Sequence, residues 1–235
     1  MTAAILEIDG VSKDYRALRP LRIQRLSVAG SESVAIVGLD GAAAETLVNL
    51  VTGAALPDTG EIRVFGRGTT AIADANDWLA VVDRFGIVSE RAVLLDRLTV
   101  IQNLAMPFTL DIEPPPDDVR QRAAALADEV GLPASAAERP IADLDAAGRL
   151  RVRLARALAL EPSLLLLEHP SAELSRSPAR EIAQRIRAIA RRRSAAVLTA
   201  TVDDRFANAV ADRVLTVDAA TGRLRERGLT KWFRG

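Results

Sequence analysis

The sequence predicts an α/β fold: a mostly parallel sheet covered by helices on both faces, an antiparallel β portion at the N-terminus, and a helical insertion at about residues 90–160. Three observations carry this. Short apolar runs alternate with helix-compatible stretches through the second half of the 235-residue chain, and strands that alternate with helices pack as a parallel sheet. Two segments near the N-terminus, 5–8 and 21–28, instead alternate apolar with polar positions, as strands with one wet face do. The middle third is almost wholly helical in pattern, so it should project from the sheet as a subdomain.

Residues 5–8 and 21–28 read as half-buried strands at the edge of an N-terminal sheet. Residues 34–37 differ, being a continuous apolar run that ends in Gly38, with Gly41 close behind and a helical stretch over 46–51. That is a buried strand, a tight glycine turn and a helix. After the turn Pro57-Asp58-Thr59-Gly60, residues 61–65 give another strand. Ile87 and Val88 mark the next, followed by a helical region over 100–106. Pro114-Pro115-Pro116 excludes helix, and an alanine-rich helix over 117–130 is stopped by Gly131 and Pro133. A further helix is expected over 146–160. Leu164-Leu165-Leu166-Leu167, closed by Glu168-His169-Pro170, reads as a strand buried on both faces. Helix 178–193, strand 196–201, helix 203–211 and strand 214–217 complete the alternation. With no internal repeat in view, 1–235 reads as a single domain.

Composition removes several chemistries. Thirty-one basic residues balance 31 acidic ones, which argues against an electrostatic nucleic-acid binder. Only Lys13 and Lys231 are lysines, so chemistry that needs an internal lysine is excluded. One histidine, His169, and no cysteine exclude zinc sites built from clusters of these residues, a cysteine nucleophile and disulfides. The apolar stretches are far shorter than the roughly 20 residues needed to cross a bilayer, and the N-terminus lacks the pattern of a signal peptide. A cytosolic or membrane-peripheral location is expected.

The strand, turn and helix over 34–51 resemble a phosphate-binding loop, and the order of the later elements resembles the nucleotide-binding domain of an ABC transporter, a P-loop NTPase-like fold. The resemblance covers essentially the whole chain. It is carried by Val11-Ser12-Lys13-Asp14-Tyr15, residues 53–66, Leu98-Thr99-Val100 with Asn103, RVRLARAL at 151–158, PSLLLLEHP at 162–170, and Ala211-Asp212-Arg213-Val214. It implies ATP and Mg2+ as cofactors, a membrane permease as partner, pairing as a homodimer or with another ATPase subunit, and a place at the inner face of the cell membrane. Length and the Leu98-Thr99-Val100 and Asn103 text are most similar to the small ATPase subunits of lipid or lipoprotein-type systems.

The scaffold text resembles the family; the chemistry departs from it. The loop pattern G-x-x-G-x-G-K-[ST]-[ST] is here Gly38-Leu39-Asp40-Gly41-Ala42-Ala43-Ala44-Glu45-Thr46. Such a loop works through backbone amides and a helix N-terminus around the phosphates, a lysine charge and a hydroxyl on the metal. Ala44 removes the charge, Ala43 replaces a glycine, and Glu45 puts a carboxylate where a hydroxyl belongs. One charge pair near 4 Å is worth roughly 4 kcal/mol gross at an effective dielectric of about 20, and about 1.4 kcal/mol is tenfold in affinity. By the same resemblance, Glu90 takes the place of a glutamine that touches metal and water. The signature LSGGQ becomes Leu144-Asp145-Ala146-Ala147-Gly148, with a carboxylate facing an anionic ligand. The Asp-Glu pair of Walker B is Glu168-His169: Glu168 could still reach magnesium, while His169 is either a substitute general base or only a cap on the strand end. The aspartate of the next loop falls on Ser175, and the switch histidine falls on Val202. Tyr15, matching the adenine-stacking aromatic, survives with Gly38, Gly41 and Thr46.

These losses together point to a pseudo-ATPase cassette. Two alternatives stand beside it: ATP binding with slow hydrolysis through Glu168 and His169, and a soluble interaction module unrelated to transport. Asp40 or Glu45 is expected to place a carboxylate in the amide cradle itself. Residues 90–103 either receive a permease helix or pack the helical insertion. Arg191-Arg192-Arg193 complements a helix dipole, and the Lys231-Trp232-Phe233-Arg234 tail reads as frayed.

Overall fold

The computed structural model describes residues 3–71 and 75–227; the Lys231-Trp232-Phe233-Arg234 tail lies outside them. The chain opens with β1 (Ala4–Lys13) and β2 (Leu21–Ala29), paired antiparallel with Leu6 opposite Val28 and Val11 opposite Ile23. Their alternation sends Leu6, Ile8, Ile23 and Val28 into the core and leaves the intervening Arg, Glu and Asp in water. Next come β3 (Ser33–Val37), buried at every position, and α1 (Gly41–Val51). The strands β4 (Thr59–Val64) and β5 (Arg67–Gly68) extend the first sheet to the order β2-β1-β4-β5.

The rest alternates: α2 (Ala75–Val82), β6 (Phe85–Val88), α3 (Val100–Ala105), α4 (Asp117–Glu129), α5 (Ala146–Leu158), β7 (Leu164–Glu168), α6 (Arg176–Arg193), β8 (Ala196–Thr201), α7 (Asp204–Val210), β9 (Arg213–Val217) and β10 (Leu224–Glu226). The second sheet has the order β10-β9-β3-β8-β7-β6, parallel except at the β10 edge. This is the predicted α/β architecture, with the antiparallel sheet at the N-terminus and α3, α4 and α5 inserted between β6 and β7. The leucine run of β7 shows why a strand inside such a sheet reads as continuously apolar. Leu165 and Leu167 enter the core under α5 and α6, while Leu164 and Leu166 enter the core shared with α1 and the first sheet.

Several boundaries differ from expectation. Helix α1 starts at Gly41 rather than at 46, because Asp40 caps it and alanines propagate it. Strands β5 and β10 and helix α2 were not foreseen; the two strands have only two and three residues, too few for a periodicity to show. Residues 90–99 are not helical. They form a loop pinned by the fully buried Asn103, whose Oδ1 accepts from the Leu95 amide at 2.9 Å and whose Nδ2 donates to the carbonyls of Leu95 (3.1 Å) and Thr99 (3.0 Å). Val93 and Leu95 are thereby left exposed, whereas Leu94 and Val100 are buried.

The arginines ending α6 do more than face a helix dipole. Arg192 and Arg193 hold Glu129 of α4, Arg193 through Nε at 2.9 Å, and Arg191 reaches Asp212 at 2.9 Å. Burial pushes both carboxyl groups up, but the guanidinium hydrogen bonds, with the Ser33 amide at Asp212, outweigh it and hold both below the usual carboxylate range. A depressed pKa in the folded state stabilises above the unfolded value, about 4 for these groups, and the contribution is lost as pH falls through the folded pKa. Thermal melting against pH should therefore show wild type declining below about pH 4. Glu129→Gln should melt lower at neutral pH and converge with wild type in acid; parallel curves would argue against this pairing.

Candidate functional site

Strand β3, the Gly38 turn and α1 form the strand-turn-helix expected at residues 34–51. Gly38 has φ of +101°, open to glycine and costly to other residues, which lets the chain leave the sheet and enter the helix. Asp40 sits in extended conformation as the N-cap, its Oδ1 accepting from the Ala43 amide at 2.8 Å. An amide that would face an anion is thus satisfied within the chain. Ala44 is fully buried on the core face of α1, and the Thr46 hydroxyl donates back to the Ala42 carbonyl at 2.7 Å. Of the two carboxylates expected in the cradle, Asp40 takes the cap and Glu45 turns elsewhere. Tyr15 packs half-buried against the core, and burial, then the Asp40 charge, pushes its phenol pKa up.

Glu45 meets a residue that sequence reasoning missed. Strand β6 ends at Val88, and the following turn has the Ser89 hydroxyl accepting from the Arg91 amide at 3.1 Å. From there the Arg91 guanidinium reaches Glu168 at the end of β7, with Nη2 to Oε2 at 2.7 Å and Nε to Oε1 at 3.3 Å. Its Nη1 reaches Oε1 of Glu45 at 3.1 Å. Parallel pairing of β6 with β7, Val88 opposite Leu167, brings these ends together. The Glu168 carboxylate is 11% exposed, against 43% for Arg91 and 44% for Glu45. Hydrogen bonding to Glu168 raises the Arg91 pKa against the opposing effect of burial, and the charges of Glu168 and Glu45 add to it. Glu90 is exposed and lines a recess with Ser89, Leu150, Arg153, Glu168 and Glu173.

His169 follows with φ of +43°, a left-handed conformation uncommon outside glycine, its amide donating to the Ala200 carbonyl at 2.9 Å. Its Nε2 is buried and has no hydrogen-bond partner. Beyond it, the Ser171 hydroxyl donates to Asp203 Oδ2 at 3.0 Å, while Asp203 Oδ1 caps α7 by accepting from the Arg205 and Phe206 amides. Val202, immediately before Asp203, is 66% exposed and offers no polar side-chain atom. Ser175 is the N-cap residue of α6 but makes no capping hydrogen bond through its side chain.

In the signature segment Leu144 is buried and Asp145 is the N-cap of α5, its Oδ1 accepting from the Gly148 amide at 2.7 Å. A methyl group at Gly148 would lie 3.1 Å from that same oxygen, so the glycine leaves room for the cap. Ala147 is buried, and Ala146 lines the recess that holds Glu90 and Glu168. Among the described residues no hydrogen bond or ion pair joins 144–148 to 38–46.

Comparison with known proteins gives the family. The family model for the ABC transporter matches residues 21–172, well over half of the chain. The chain belongs to the ABC transporter family. It is 33% identical to the sulfate/thiosulfate import ATP-binding protein CysA 2 of Chromobacterium violaceum over 225 residues, covering 95% of this chain and 58% of that protein. It is 32% identical to the methionine import ATP-binding protein MetN of Brucella abortus over 217 residues, 92% of this chain and 58% of that one. The chain thus spans less than two thirds of these two import proteins. Over the full length of the lipoprotein-releasing system ATP-binding protein LolD 1 of Rhodopirellula baltica it is 31% identical, with 96% of this chain covered. In fold it is similar to cbiO1 from Clostridium perfringens, with a TM-score of 0.79 at 21% identity over 94% of this chain and 87% of that one. A dimeric ATP-binding cassette bound to ADP and Pi gives 0.77 at 22% identity over 95% and 100%.

ABC ATPases use ATP with Mg2+, and the residues present here do not fit that pair. The position between Glu45 and Glu168 is taken by a guanidinium, itself a cation. The Ala43 amide is taken by Asp40, and no lysine stands on α1. Among the described residues no cluster of three or more His, Cys, Asp or Glu could hold a metal, and no helix is long and apolar enough to cross a membrane. The signal that could have revealed Arg91 is electrostatic: two glutamates that the resemblance would place together call for a nearby positive charge.

Proposed function

We propose that this chain is a pseudo-ATPase cassette subunit, acting at the inner face of a membrane through contact with a permease and paired with itself or another cassette subunit. The observation that carries the reading is the internally neutralised phosphate and metal region: Asp40 on the Ala43 amide, and Arg91 between Glu45 and Glu168. Its relatives named for import and for lipoprotein release support the transport setting, and the interaction module unrelated to transport gains nothing from them. The exposed Val93 and Leu95, presented by the loop that Asn103 pins, supply apolar contact for a permease segment.

A second reading, slow hydrolysis, is favoured by one feature, the buried and unpartnered Nε2 of His169 in the catalytic glutamate's place. Titration with a fluorescent ATP analogue, with and without Mg2+, together with phosphate release, separates the two. The expected result is no saturable micromolar binding and no turnover above background. Micromolar binding with turnover abolished by His169→Ala would overturn the proposal in favour of the enzyme.

A further inference from the structure

By the resemblance, the family's metal is held from three segments: the helix after the phosphate loop, the turn after the strand that corresponds to residues 85–88, and the end of the Walker B strand. Here those segments are α1, the turn after β6 and the end of β7, and one side chain already touches two of them from the third. We infer that the Arg91 guanidinium is the resident cation of this site, cross-linking α1, the β6 turn and β7 in place of a divalent ion.

Charge, geometry and aim each support the assignment. Glu45 and Glu168 both lie within hydrogen-bond distance of one group, so without a cation between them two negative charges would face each other. Arginine never deprotonates in a protein, so the link does not depend on a ligand arriving. The fork places Nε and Nη2 on the two oxygens of Glu168 and leaves Nη1 for Glu45, an arrangement that the point charge of lysine cannot reproduce. The aim comes from the backbone: Ser89 turns the chain by accepting the Arg91 amide, and the β6–β7 register sets that turn beside Glu168. As a consequence, segments that a loaded metal would join are joined here without one, and this face of the subunit holds one arrangement whether or not nucleotide is present.

The inference rests on the alignment that also underlies the pseudo-ATPase reading, so its test contains no nucleotide and can fail alone. Thermal unfolding of the full chain is measured in EDTA and in millimolar Mn2+, with Mn2+ binding followed by paramagnetic resonance, for wild type, Arg91→Met, Arg91→Lys and Arg91→Met/Glu168→Gln. Wild type should melt at one temperature in both media. Arg91→Met should melt several degrees lower in EDTA, recover in Mn2+, and bind Mn2+ at least about tenfold more tightly than wild type; Glu168→Gln in the same background should abolish the response. Mn2+ stabilising wild type as strongly as Arg91→Met would overturn the inference, as would an Arg91→Met that neither loses stability nor responds to Mn2+. If Arg91→Met fails to fold in either medium, Arg91→Lys decides. A lower melting temperature than wild type, without a Mn2+ response, supports the forked cross-link; a melting temperature equal to wild type overturns it.

Discussion

A chain carrying Asp40→Ser, Ala43→Gly, Ala44→Lys and Glu45→Ser is expected to bind ATP about 100-fold more tightly than wild type or better, while phosphate release stays at background. The gain follows from electrostatics: an attraction worth up to roughly 4 kcal/mol gross is added at residue 44, and half of that, discounted for solvent screening, is already about 30-fold; release of the Ala43 amide from Asp40 adds to it. All four changes are needed. The Ala44 methyl faces the core from α1 itself, so a lysine there has to leave through the turn that Asp40 now closes. Serine at residue 40 releases that carboxylate yet still caps the helix. Phosphate release is expected to stay low because, on the proposed reading, the position after Glu168 is His169, Val202 offers no hydrogen bond, and Asp145 presents a carboxylate to a phosphate. With Arg91 still on Glu168 the gain should be nearly independent of Mg2+, and adding Arg91→Gln should make it Mg2+-dependent. Nucleotide titration and phosphate release read both quantities; turnover in the four-residue variant would mean that His169 supplies the missing base.

Phe206→Ala should lower stability by about 3–5 kcal/mol, a large share of the roughly 5–15 kcal/mol that holds a domain folded. Phe206 is 1% exposed and among the largest fully buried side chains. It anchors α7, a helix of only seven residues with two other buried positions, Ala207 and Val210, so little else can fill the space. Loss of the anchor reaches the site as well, because the Asp203 cap that starts α7 also holds Ser171 in the loop after β7. Urea unfolding measures the effect through the midpoint, with Leu18→Ala as the control, since Leu18 is 98% exposed and should change the midpoint little. A loss below about 1 kcal/mol would contradict the packing described for α7.

Much of the architecture was legible because its signals are local. The β7 leucines, the proline run before α4 and the alternation in β1 and β2 each state their environment within a few residues. The resemblance to ABC cassettes was legible for the same reason, since its words lie in contiguous stretches. The start of α1 was misplaced: a glycine-led alanine stretch carries no apolar stripe, and its helix depends on a cap that is recognised only once Asp40 meets the Ala43 amide. Residues 90–99 read as helix-compatible, yet Asn103 ties them into a loop through hydrogen bonds that periodicity does not encode.

By itself the sequence determined the order of elements and the family likeness, and with them which side chains stand at residues 44, 45, 168 and 169. Tertiary structure alone decided which groups these side chains meet. Arg91 lies 46 residues from Glu45 and 77 from Glu168 along the chain, and the three converge only because β6 pairs with β7 and α1 lies across the same sheet. Periodicity and propensity act over a turn or two of chain, whereas charge acts through space. Glu45 and Glu168 are therefore visible in the sequence as separate residues, but the guanidinium between them becomes visible only when the sheet has brought the two carboxylates together.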